Sequence, residues 1–307
     1  MSSLLVFPGQ GAQTPGMLQR LPALAPVRDT LQQASDVLGQ DVLSLDTPEA
    51  LASTRAVQLC LLIAGTACAR LLPAPDYVAG LSIGAYAAAV AAQALSFDDA
   101  LRLVSLRGDL MQRAYPQGFG MTAVMGLEQR ALETLLAQVH SPHTPVYLAN
   151  INADNQLVIA GSDAAMATVA ALARQQGAGM ARRLAVSVPS HCTLLEQPAQ
   201  ALAEAFASIT LQAPRLGYLS SSSARLLRTP EHLRDDLAWN MCRQVDWRAT
   251  VQSACERGVR LQIELPPGAV LTGLSRRVLE QGTVVAFDSA RLDTLQSLLH
   301  KENHPTL

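Results

Sequence analysis

The chain has 307 residues, 49% of them hydrophobic, which is enough for one large or two modest domains with a substantial core. Charged residues make up 16% and the formal net charge is -2, which excludes the basic stripe that a nucleic-acid partner requires. Five cysteines (Cys60, Cys68, Cys192, Cys242, Cys255) with no Cys-x-x-Cys pair argue against a disulfide framework or a structural zinc site and suit a reducing cytoplasm.

The N-terminus lacks a basic region and its apolar run stops at Pro8, so Leu4 to Phe7 predicts a first buried strand rather than a secretory signal. The longest apolar stretch, Leu59 to Ala69, ends at Arg70, far short of the roughly 20 residues of a membrane span. A soluble protein without a membrane partner is expected. Tyr77 to Ala79 and Leu261 to Leu265 read as further buried strands between Ala/Leu-rich helical stretches, which predicts a parallel α/β sheet.

Gly80-Leu81-Ser82-Ile83-Gly84 follows one of these strands and precedes Ala85 to Ala94, an Ala-rich helix former. Strand, tight turn and helix are what a nucleophile elbow needs: the glycines allow the sharp bend, and the new helix N-terminus offers free N–H groups to a developing oxyanion. The pattern alone arises by chance in roughly one chain in ten of this length. The Phe97 to Ala114 stretch predicts a helix with Ala100, Leu103, Val104, Leu110, Met111 and Ala114 on one face, and Arg107 falls on that face too. A guanidinium there must meet an anion, either a carboxylate of the chain itself or one carried by a substrate.

From Met121 to Val188 the pattern becomes strand (Met121 to Gly126), helix (Glu128 to Val139), strand (Val146 to Asn152), strand (Gln156 to Gly161), helix (Asp163 to Gly177) and strand (Arg182 to Val188). That order is ferredoxin-like. It predicts a small domain over 119–189 inserted into a larger one formed by 1–118 and 190–307, with crossings at Pro116 to Gly120 and Pro189 to Ser190 and the site in the cleft between them. His191 ends a strand at a proline turn, a suitable place for a catalytic group, whereas His140, His143, His232, His300 and His304 fall in loops, a charged helix and the tail. On its own a structural role for His191 is equally open. More than a hundred residues follow it, unlike the chain order of α/β-hydrolases, where the histidine is near the end. Ser220 to Ser223 reads as a loop and His300 to Leu307 as a frayed tail.

Phe7-Pro8-Gly9-Gln10-Gly11-Ala12-Gln13, the serine elbow, Leu106-Arg107-Gly108, Asn150-x-Asn152 with Gln156-Leu157-Val158-Ile159-Ala160-Gly161, Ser187-Val188-Pro189-Ser190-His191-Cys192, and Pro267-Gly268-x-Val270-Leu271-x-Gly273-Leu274 together resemble malonyl-CoA:acyl-carrier-protein transacylases, in order and over nearly the whole chain. The resemblance implies an α/β-hydrolase-like core. It further implies that Ser82 carries the malonyl ester, His191 is the base, Arg107 binds the malonyl carboxylate, and the Gln10 and Ile83 N–H groups form the oxyanion hole. The Asn240 carbonyl would orient the histidine, and Met111, Asn150, Asn152 and Val270 would contact substrate. Malonyl-CoA and an acyl carrier protein are the implied partners, with no cofactor or metal. At the elbow Leu81 and Ala85 replace the family's usual histidine and glutamate. The run Gly-Leu-Ser-Ile-Gly-Ala-Tyr, with the residues after Arg107, looks most like the transacylase subunit of bacterial malonate decarboxylase, whose acceptor is that system's carrier subunit.

Overall fold

Strand β1 (Ser2–Phe7) is buried along nearly all its length, as a strand covered on both faces must be, and it is the centre of the larger sheet. The structure is a computed structural model that describes residues 2–303. After β1 come α1 (Ala25–Leu38), α2 (Thr54–Ala69), β2 (Tyr77–Gly80), α3 (Gly84–Ala91) and α4 (Phe97–Ala114). Next come β3 (Phe119–Met125), α5 (Gln129–Val139), β4 (Val146–Ala153), β5 (Gln156–Ser162), α6 (Asp163–Gln175) and β6 (Met180–Arg183). The chain returns through α7 (Glu196–Ala205), β7 (Gly217–Leu219), β8 (Leu226–Leu227), α8 (Pro230–Trp239), β9 (Val245–Asp246), α9 (Trp247–Glu256), β10 (Val259–Glu264), α10 (Val270–Ser275), β11 (Thr283–Ala286) and α11 (Leu292–Asn303).

The larger sheet has the order β11-β10-β1-β2-β7-β8, parallel except for the β7–β8 pair. The α/β class predicted from the alternation is therefore observed. Helix α3 is short and almost wholly buried, and its alanines let it lie close to β1, β2 and α2. It stops earlier than the Ala-rich run suggests because Gln93 turns left-handed at φ 56°.

The smaller sheet has the order β6-β3-β5-β4-β9, with the four inserted strands antiparallel. Helices α5 and α6 cover one face, burying Leu132, Leu135, Val169 and Ala173 against Val124, Leu157 and Ile159. One expectation needs correction here. Strand β6 runs over Met180–Arg183 instead of 182–188, because its ladder with β3 ends at Thr122↔Arg183. Beyond that point one main-chain bond remains, from the Leu184 N–H to the Met121 carbonyl at 2.9 Å, and the Arg183 side chain donates to the carbonyls of Met121, Leu184 and Val186 in place of further ladder bonds. The fifth strand, β9, comes from outside 119–189 and pairs parallel to β4 through Asn150↔Val245 and Ile151↔Asp246. The smaller sheet thus includes a strand from the returning chain, with an Arg248–Asp154 ion pair at 2.8 Å beside that pairing.

His300 belongs to α11 rather than to a loose tail, and His304 lies outside the described residues. Among the described residues no helix is long and apolar enough to cross a membrane.

Candidate active site

The elbow connects β2 to α3, and its two glycines are there for close approach rather than for a left-handed backbone. A Cβ on Gly80 would lie 2.0 Å from the Gly84 carbonyl carbon, and one on Gly84 would lie 2.2 Å from the Phe7 carbonyl oxygen. The strained residue is Ser82 itself, at φ 54°, a conformation that costs on the order of 1 to 3 kcal/mol for a residue with a side chain. His191 is held the same way at φ 65°, fixed by its N–H donating to the Met241 carbonyl at 2.7 Å. Strain at two facing residues is retained only where the surrounding structure enforces it.

These two side chains meet. His191 Nε2 lies 2.8 Å from Ser82 Oγ, while Nδ1 faces the carbonyls of Asn240 at 2.9 Å and Arg243 at 3.2 Å. Two carbonyls can only accept, so Nδ1 carries the proton and Nε2 accepts from the serine hydroxyl. The Arg243 carbonyl left no trace in the sequence, because any residue supplies one. Cys192, next along the chain, turns its thiol to the Pro189 carbonyl, and burial pushes that thiol up to about 12. It is not poised as a nucleophile.

Arg107 projects from the buried face of α4 and is only 1% exposed. No carboxylate answers it: among the described residues it forms no ion pair. Its Nη1 donates to Gln58 Oε1 at 2.6 Å, Nη2 faces Asn240 Oδ1 at 3.3 Å and Ser82 Oγ at 3.4 Å, and Nε has no partner. The guanidinium carbon stands 6.0 Å from the Tyr86 ring centroid. Gln58, wholly buried on the apolar helix α2, escaped sequence reasoning, although one glutamine inside so apolar a run was the available signal. Burial lowers the Arg107 pKa, and no carboxylate among the described residues offsets it.

A cavity of about 380 Å³ opens onto this centre. Its walls include Gln10, Ser82, Arg107, Met111, Asn150, Asn152, His191 and Val270, so most of the residues picked from sequence are brought together here. Asn150 and Asn152 each keep a buried, unpartnered Oδ1, and Val270 is 52% exposed at the lip. Ile83 and Asn240 stand behind the wall. The N–H groups of Gln10 and Ile83 make no hydrogen bond within the described chain, and the loop after β1 is pinned against the elbow by Leu81 N–H donating to the Phe7 carbonyl at 2.9 Å. No other histidine among the described residues lines the cavity.

The model of the acyl transferase domain matches residues 4–304. The chain belongs to the acyl transferase family. It is 39% identical to the malonyl CoA-acyl carrier protein transacylase of Haemophilus influenzae over 286 residues, covering 90% of this chain and 91% of that protein. Against the enzyme of the same description from Escherichia coli it is 37% identical over 298 residues, covering 92% and 94%. Among solved structures, the malonyl CoA-acyl carrier protein transacylase from Coxiella burnetii superposes with a TM-score of 0.92 at 33% identity, covering 99% of this chain and 98% of that one. A type II PKS acyl-carrier protein in complex with its malonyl-transacylase gives 0.92 at 35% identity, covering 97% and 100%. The transacylase resemblance read from six ordered motifs therefore extends over nearly the whole chain.

The electrostatics of this acyl transferase site set a pH dependence. Burial first and the Arg107 charge second lower the His191 pKa to about 4, with the Asn240 and Arg243 carbonyls opposing. A base must be neutral to accept a proton, and a lowered pKa keeps the imidazole neutral further into acid. The acid limb of kcat/KM is expected near pH 4 rather than near the ordinary histidine value of about 6.5. An anion bound to Arg107 cancels the second cause, so the limb in kcat is expected at higher pH than that in kcat/KM. Rate profiles between pH 4 and 8 check both statements; coincident limbs near 6.5 refute them.

Proposed function

We propose that the protein transfers a malonyl group from malonyl-CoA to the thiol of an acyl carrier protein in a ping-pong reaction through a malonyl-Ser82 ester. The observation that carries this reading is the buried guanidinium of Arg107, without a carboxylate partner, beside a serine and a histidine within hydrogen-bonding distance of each other. The malonyl carboxylate pairs with Arg107, which places the thioester carbonyl at Ser82. His191 takes the serine proton as Oγ attacks, the oxyanion is held by the Gln10 and Ile83 N–H groups, and His191 passes that proton to the CoA sulfur as it leaves. A carrier thiol then gives its proton to the neutral His191 and attacks the ester carbonyl, and His191 returns the proton to Oγ as the ester bond breaks, which restores Ser82. The Asn240 carbonyl keeps the imidazole in the required tautomer, and Met111, Asn150, Asn152 and Val270 contact the substrate. We read residues 119–189 as a ferredoxin-like unit set into an α/β-hydrolase-like core of 1–118 and 190–307, a division supported by the strand order of the two sheets.

Incubation with malonyl-CoA is expected to add one malonyl group to the peptide containing Ser82, read by intact mass and peptide mapping. An adduct on Cys192 overturns the assignment. Rapid hydrolysis without a carrier points instead to a thioesterase, and no adduct at all to a docking subunit. The narrower reading, a malonate decarboxylase transacylase subunit, rests on the elbow, where Leu81 lines the cavity and Ala85 is buried, and on the run after Arg107. Relative rates of transfer from malonyl-Ser82 to a fatty-acid carrier and to a decarboxylase carrier subunit test it.

A further inference from the structure

The cavity is charged in an uneven way. Its wall contains two arginines, Arg107 and Arg182, and among the described residues no aspartate or glutamate lines it. Arg107 is at the closed end beside Ser82. Arg182 stands on the other side, on the edge strand β6, opposite Ala123 of β3, whose small side chain leaves room beside it.

Strand alternation separates Arg182 from its neighbour Arg183. Arg183 is fully engaged, donating to the carbonyls of Phe119, Met121, Leu184 and Val186 and pairing with Asp163 at 3.1 Å. Arg182 points into the cavity with Met180 and Leu184 and has no hydrogen-bond or ion-pair partner among the described residues. The wall around it is apolar, formed by Met121, Met125, Met180 and Leu184. Arg182 is itself exposed, so its guanidinium stands at the solvent side of this wall, where an incoming anion can reach it. The cavity is therefore suited to a ligand that is anionic at both ends and apolar or neutral between them.

We propose that Arg182 binds the phosphate at the far end of the pantetheine arm, the group that CoA and the prosthetic arm of a carrier protein share. This rests on the malonyl-transfer reading, in which Arg107 takes the acyl carboxylate. One arginine then holds the acyl end and the other the handle. The same hook serves the donor in the first half-reaction and the acceptor in the second.

The test compares three donors, malonyl-CoA, malonyl-4′-phosphopantetheine and malonyl-pantetheine, with the wild type, Arg182→Ala and Arg182→Lys. In Arg182→Ala the kcat/KM ratio of malonyl-phosphopantetheine to malonyl-pantetheine is expected to fall about tenfold, mainly through KM, as for the loss of one charged hydrogen bond. Arg182→Lys should recover part of the ratio, because a point charge remains. An unchanged ratio overturns the proposal while leaving malonyl transfer intact. A fall seen with malonyl-CoA alone assigns Arg182 to the adenosine end and also overturns the shared hook. If the wild type accepts none of the three donors, the malonyl-transfer reading itself fails, and the hook with it.

Discussion

Replacing His191 with alanine is expected to slow malonylation of Ser82 by about a hundred- to ten-thousandfold, the usual worth of a positioned general base. Among the described residues, Nε2 is the only acceptor placed on the serine hydroxyl, at 2.8 Å; the other group near Oγ is Arg107 Nη2, which can only donate. No neighbour can take over the proton. The imidazole is also held from behind by two main-chain carbonyls, so Asn240→Ala retains the Asn240 carbonyl and should cost far less than His191→Ala. What that variant removes is a side-chain contact at 3.3 Å to Arg107. Single-turnover release of CoA measures both. A loss under tenfold in His191→Ala rules out the base, and equal losses in the two variants mean that the Asn240 side chain matters as much as the ring.

Arg107→Ala is expected to be selective. The malonyl carboxylate then enters a buried site with no counter-charge, at a cost of about 2 to 5 kcal/mol, or roughly thirty- to several-thousandfold in kcat/KM. Acetyl-CoA has no such carboxylate, so its transfer should hold steady or improve. The ratio of kcat/KM for malonyl-CoA to that for acetyl-CoA, compared between the wild type and the variant, is the decisive quantity. If both donors lose by the same factor, Arg107 is a brace between α4 and Gln58 and nothing more.

Before the structure, Arg107 had two possible partners, and periodicity could not choose between them, since a helical stripe shows which face is buried and not what that face meets. The answer depended on Gln58, forty-nine residues away and neutral. The inserted strands and helices were readable to within a few residues because each has a clean period and a turn at its ends. The exception, β6, ends where Arg183 substitutes side-chain donors for the ladder, a choice made by tertiary contacts. A two-residue strand such as β9 has no period to read. The Asn240 and Arg243 carbonyls behind His191 are backbone groups, and sequence patterns do not report where backbone oxygens point.

That short strand has a consequence during synthesis. The four inserted strands are complete once Arg183 has been made, but the β4 edge stays open until Val245 and Asp246 emerge, some sixty residues later. At a translation rate of about 5 to 20 residues per second, the nascent chain carries an unpaired strand edge for roughly 3 to 12 seconds, quite apart from the time those residues spend inside the ribosome. The open backbone belongs to β4, the strand that carries Asn150 and Asn152. On the ribosome, this wall of the cavity is finished only once about four-fifths of the chain has been made.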